Sequence, residues 1–219
     1  GQLGAGDVQW MTAGSGILHQ EMPQGNAQGQ MHGFQLWANL PSALKMTAPR
    51  YQDVQGKDIP VVIDDDGTTM KIIIGSFWGK TGVVDGIAAD PQYLDIFVPA
   101  GVKKTFKIDT YRRAFAYVFE GAAAFSDASA PEGVLLEKEV DGKEVNIRDL
   151  SGNRTLIRFG TGDNITVQAG EVGVRFLLIS GAPIQEPVAW HGPIVMNTQA
   201  ELQQAMDDLQ NNTFIKPAH

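Results

Sequence analysis

No cysteine occurs among the 219 residues. That excludes a disulfide framework and any thiolate metal site. Basic residues are scarce: 17 Lys and Arg stand against 25 Asp and Glu, for a formal net charge of −8. A chain of that balance has no basic footprint for gripping nucleic acid directly. No apolar run approaches the ~18 residues that a membrane-spanning helix needs, so the composition reads as a soluble, cytoplasmic protein. Also missing are a G-x-S-x-G nucleophile elbow, a Walker A loop and a G-x-G-x-x-G that opens a helix after a strand. The glycine-rich Ala13–Ile17 run precedes an expected strand, which argues against a phosphate cradle. Histidine is rare, with only His19, His32, His191 and His219.

What remains is apolar and rich in turns. Hydrophobic residues make up 43% of the chain, enough for one large or two modest cores. With 25 glycines and 11 prolines, an all-β protein is favoured over a helical one. The stretch Gly6 to Met22, GDVQWMTAGSGILHQEM, reads as strand, turn, strand. In the second strand Ile17, His19 and Glu21 alternate with Leu18 and Gln20. Residues i and i+2 share a face, so His19 and Glu21 project together. Neutral imidazole and carboxylate both suit a divalent transition metal. H-x-E alone is equally consistent with a surface pair or a satisfied core histidine.

The surrounding words carry a resemblance. GDVQWMTAGSGILHQEMP, HGFQLWANLP at 32–41, IPVVIDDDG at 59–67 and EPVAWHGPIVMNT at 186–198 are similar, in order, to the pirin family of the cupin superfamily. The resemblance implies a bicupin, two double-stranded β-helix barrels with one C-terminal helix. It implies one mononuclear metal, usually Fe(II) with other divalent transition metals possible, held in the N-terminal barrel by His19 and Glu21. Two more ligands in the family come from an upstream H-x-H motif that this sequence does not contain. The chain therefore resembles a pirin that begins partway through its first barrel. A cleaved N-terminal fragment or a second chain would then complete that barrel. Relatives of this kind act as quercetin 2,3-dioxygenases, which implies a flavonol-like substrate, with Glu21 as general base and Trp10, Met11 and Phe34 as apolar walls. Animal members act as nuclear transcription coregulators. The competing expectation is therefore a non-catalytic, metal-binding regulatory protein that binds a transcription or enzyme partner.

The expected division is residues 1–77, the remainder of the metal-binding barrel, and residues 78–219, a second barrel without a metal motif. Gln24–Gln30 reads as loop or linker, and Met31–Leu40 as a strand with Phe34 and Leu36 on one face. His32 lies on the Phe34 face and reads as structural, although a third metal ligand is conceivable. Asp64-Asp65-Asp66-Gly67 could suggest calcium. The residue twelfth from Asp64 is Gly75, where a calcium loop needs Glu, so a hairpin turn is expected. Short alternating runs from Tyr93 to Ile179 indicate a barrel or sandwich. Lys103-Lys104-Thr105 stands where an active cupin barrel carries its H-x-H, and offers no ligand. Thr198 and Glu201 form a T-x-x-E capping box for a helix over 198–210, with Leu202, Ala205, Met206 and Leu209 as its apolar stripe. That stripe reads as contact with its own domain, with partner docking as the alternative.

Overall fold

The computed structural model describes residues 3–127, 135–140, 143–146 and 150–216. Among the described residues strands dominate and there is one α-helix. In chain order the early strands are β1 (Val8–Thr12), β2 (Arg50–Val54), β3 (Val61–Ile63), β4 (Thr69–Ile74), β5 (Ser76–Phe77) and β6 (Lys80–Thr81). The middle of the chain supplies β7 (Gln92–Val98), β8 (Lys103–Lys107), β9 (Arg113–Asp127), β10 (Leu135–Val140) and β11 (Lys143–Asn146). The last strands are β12 (Ser151–Gly152), β13 (Thr155–Arg158), β14 (Asn164–Gly181), β15 (Ala189–His191) and β16 (Ile194–Met196), followed by α1 (Gln199–Gln210).

The chain divides into two compact units: Gly1–Gln9 with Asp53–Pro183, and Trp10–Gln52 with Ile184–His219. This division runs differently from one at residue 77. The reason lies in pairing: β4 is hydrogen-bonded to β7, which ties β3 and β4 to the strands that follow.

The first unit is built on a ten-stranded sheet in the order β11-β10-β13-β9-β14-β7-β4-β3, with β12 on β9 and β8 on β14. Where the sequence suggests two strands, Asn164–Gln168 and Val174–Ile179, the structure has one long strand, β14. Its first half pairs with β8 and the end of β9; its second half pairs with β7 and the start of β9. The bend between the halves coincides with a register shift from Ala169 to Val174. Gly121 and Gly173 meet there at positive φ, and a Cβ on Gly121 would lie 2.1 Å from the Gly173 carbonyl oxygen. Such a bulge sharpens the twist and lets the sheet roll over its own core.

Alternation sets what fills that core. Met70, Ile72, Leu94, Ile96, Val98, Phe106, Ile157, Val174, Phe176 and Leu178 all point inward and are buried. In β9 the inward face is Ala114, Ala116 and Val118, and the aromatic run Phe115, Tyr117, Phe119 lies on the other face. Small residues there leave room for a chain of rings: Phe106 and Phe125 each meet Phe176 edge-on, with centroids 6.1 and 5.2 Å away. The 64–67 run is the turn of the β3–β4 hairpin, closed by the Asp64 amide donating to the Thr68 carbonyl at 2.9 Å. Lys104 shares the inward face of β8 with Phe106. Its ammonium lies against the Asp64 and Asp66 carboxylates, 2.8 Å from the latter, and 5.2 Å from the Trp78 ring centroid. That hydrogen bond holds the Asp66 carboxyl down at about 2.

In the second unit, α1 is capped as its sequence requires. The Glu201 amide donates to Thr198 Oγ1 at 3.2 Å, and the Thr198 amide donates to Glu201 Oε2 at 2.8 Å. Its apolar stripe does not stand free: Leu202 packs with Ala189 and Ile194 of the β15–β16 hairpin, joined by Ala205, Met206, Leu209 and Phe214. The segment between β1 and the short 3-10 turn at Ser42–Leu44 contains no strand. The strands expected at Ile17–Glu21 and Met31–Leu40 are thus replaced by irregular backbone. A strand exists only beside a hydrogen-bonding neighbour, and among the described residues none runs alongside this segment. His219 lies outside the described residues.

Candidate metal centre

His19 and Glu21 keep the proximity that their spacing suggests, by another route. Neither sits in a strand, yet His19 Nε2 lies 3.8 Å from Glu21 Oε1. Both side chains are exposed, at 46% and 62%, so they face away from any core. Two donors sharing one ion, each at about 2.1 Å, would stand roughly 3 to 3.4 Å apart. A small rotation of exposed side chains closes that difference. In kind, imidazole and carboxylate fit a first-row divalent metal. In number they fall short, because such a site takes three or four convergent ligands. Among the described residues no group of three or more His, Asp or Glu is placed to hold a metal. The residues described do not by themselves make the centre.

The expected walls are dispersed. Trp10 and Met11 are half-buried neighbours in β1, and consecutive strand residues point to opposite faces. They therefore cannot both line one pocket from that strand. Phe34 is exposed and meets His32 edge-on, with ring centroids 5.1 Å apart. That contact joins two exposed rings. Two cavities, of about 370 and 340 Å³, are lined by other residues altogether.

Sequence reasoning missed a second polar cluster, which anchors the segment downstream of His19 and Glu21. Lys45 is buried, and its ammonium donates to Asn39 Oδ1. Burial pushes its pKa down, while the negative charges of Glu186 and Glu201 act in the opposite direction. Glu186 Oε2 also accepts from the Ser42 amide at 2.6 Å and from Asn197 Nδ2 at 3.0 Å. Glu201, already the capping residue of α1, accepts from the Asn197 amide at 3.2 Å. Residues 39–45, 186 and 197–201 are thereby tied into one knot. The signal was present in the sequence: a lysine inside an otherwise apolar word, LKM, must find partners if it is buried. Nearby, Ser15 donates its amide to the Thr47 carbonyl at 2.8 Å, and a Cβ on Gly16 would lie 2.6 Å from the Phe214 ring. The start of the H-x-E word is therefore firmly seated, although His19 and Glu21 themselves are exposed.

A rolled antiparallel sheet around an apolar core, with one C-terminal helix, defines a protein of the cupin class. The solved structure of quercetin 2,3-dioxygenase from Acinetobacter baumannii superposes with a TM-score of 0.74 at 30% identity, over 95% of this chain and 67% of that one. The pirin C-terminal cupin domain matches residues 93–215, and pirin itself matches residues 1–38. A pirin-like protein of Caulobacter vibrioides is 41% identical over 217 residues, 98% of this chain and 70% of that protein. Pirin-1 of Arabidopsis thaliana is 38% identical over 96% of this chain and 67% of its own length. The chain belongs to the pirin family.

Proposed function

We propose that this chain contributes to a metal-dependent dioxygenase centre of the pirin type, acting with O2 on a flavonol such as quercetin. The observation that carries the reading is the His19–Glu21 pair, 3.8 Å apart within the GDVQWMTAGSGILHQEMP word. The likeness to a quercetin 2,3-dioxygenase structure supports the substrate class. Fe(II) is the metal proposed, and its remaining ligands would come from a polypeptide segment or chain outside the described residues. When bound, the metal would supply the means of bringing O2 and the flavonol together. Glu21 then has a second task, accepting the acidic hydroxyl proton of the flavonol within hydrogen-bond reach.

The test has two arms. Alone, the 219-residue chain should hold iron well below one equivalent by elemental analysis and should consume no quercetin. Co-expressed with a segment carrying the family's H-x-H strands, it should hold one equivalent and consume O2 with quercetin, and Glu21→Ala should abolish both. One equivalent of iron on the Glu21→Ala protein would remove Glu21 from the ligand set. A complemented, iron-loaded protein that consumes neither O2 nor flavonol would overturn the dioxygenase reading in favour of a metal-binding regulator.

A further inference from the structure

The outward face of the ten-stranded sheet carries a site independent of the metal pair. Register builds a row across four strands: Thr69 opposite Phe97, Phe97 opposite Arg175, and Arg175 opposite Glu120. In the next row Lys71 stands opposite Asp95. These six residues line the cavity of about 370 Å³, within the range of small-molecule sites. Two of the four charges cancel. Arg175 Nε and Nη2 grip Asp95 at 2.9 and 2.6 Å, and the guanidinium lies 5.1 Å from the Phe119 ring centroid. This fork holds Arg175 in place. Lys71 and Glu120 make no ion pair within 4 Å with each other or with another described residue, although the Glu120 charge acts on the neighbouring Arg175 guanidinium. They root on β4 and β9, three strand spacings across and two residues along, about 16 Å apart, with Phe97 between them.

We infer that this cavity binds a small zwitterion of the amino-acid or short-peptide class. Its anionic group lies on Lys71 and the Thr69 hydroxyl, its cationic group on Glu120, and its apolar middle on Phe97. A purely anionic ligand would meet Glu120 and Asp95, and a purely cationic one Lys71 and Arg175. A ligand bearing both signs satisfies both ends. Lys71 also borders the cavity of about 340 Å³, where Asp7, Asp53 and Lys57 stand. Asp7 is committed to the Gly56 and Gly4 amides at 2.7 and 2.8 Å, which leaves Asp53 as the carboxylate that competes for Lys71. Calorimetric titration of the 219-residue chain with glycyl-phenylalanine at low salt tests the site. Saturable one-to-one binding is expected, about fivefold tighter than for the N-acetylated or the C-amidated dipeptide. Lys71→Ala should erase the preference for the free carboxylate alone, and Glu120→Ala the preference for the free ammonium alone. Absence of saturable binding, equal affinity for the blocked dipeptides, or identical effects of the two substitutions would each overturn the assignment. Iron content and flavonol turnover are not readouts of this site, so its failure and that of the dioxygenase reading are distinguishable.

Discussion

Lys103–Lys107 and Ile17–Glu21 are two five-residue runs with the same alternation and opposite outcomes. The first is β8: five of its residues pair with Asn164–Gln168, Phe106 is buried, and Lys104 is tucked beneath the hairpin turn. The second has no ladder among the described residues, and everything from Leu18 to Glu21 is exposed. The difference is the neighbour. Alternation supplies two faces, and only a second strand turns those faces into an inside and an outside. Hydrogen bonding is obligatory for the backbone; β8 meets it on the β14 ladder, and Ile17–Glu21 has no such ladder among the described residues.

Hydrogen exchange should show the contrast at its largest. Amides of Leu94, Ile96, Phe176 and Leu178 should exchange at least about a thousandfold more slowly than those of Leu18 to Glu21, because only the former must await cooperative opening. Comparable protection in both sets would mean that the second run is paired in solution. Next in size is ring deletion. Phe176→Ala removes the ring at the centre of the aromatic chain and should cost about 3–5 kcal/mol, whereas Phe34→Ala, on an exposed ring, should stay within about 0.5 kcal/mol. Denaturant titration of both would break the comparison if the losses were alike.

Smaller effects sharpen the contrast at the backbone and in pH. Gly121→Ala places a methyl against the Gly173 carbonyl at φ +69° and should cost more than about 1 kcal/mol. Gly33→Ala meets nothing within 4 Å and should be close to neutral by the same titration. The least effect lies at the Lys104 clasp. Asp66 is held at about 2 against an ordinary 3.8, chiefly by its hydrogen bond from Lys104. A depressed carboxyl contributes stability that is complete above its unfolded pKa and lost as pH falls through the folded one. Stability should therefore decline between about pH 4 and pH 2, and Lys104→Met should flatten that limb. An unchanged acid limb in the variant would assign the slope to other carboxylates.

Much of the ten-stranded sheet was legible in the sequence because its strands are each other's partners. Tyr93–Val98, Lys103–Ile108 and Arg154–Phe159 alternate cleanly and end at turns, and the capping box at Thr198 and Glu201 marks the helix by a local rule. What was not legible depends on distant residues. The bulge that merges two expected strands into β14 needs Gly121 and Gly173 together, 52 positions apart by their numbers. The Lys45 knot draws on residues 39, 186 and 201, and no spacing rule joins them. At the metal pair, His19 and Glu21 do lie 3.8 Å apart, but without the shared strand face that their spacing suggested. Spacing could not give burial, since that belongs to whatever packs against the segment.

Lys104 carries a consequence for how this chain lives with trace elements. It lies in the middle of the Lys103-Lys104-Thr105 run, where an active cupin barrel carries its H-x-H, and its ammonium rests between two carboxylates and an indole. That positive charge is delivered by translation. It needs no uptake or insertion, cannot be stripped by a chelator, and has no second oxidation state to visit. The hold on the 64–67 turn therefore does not vary with the supply of any ion.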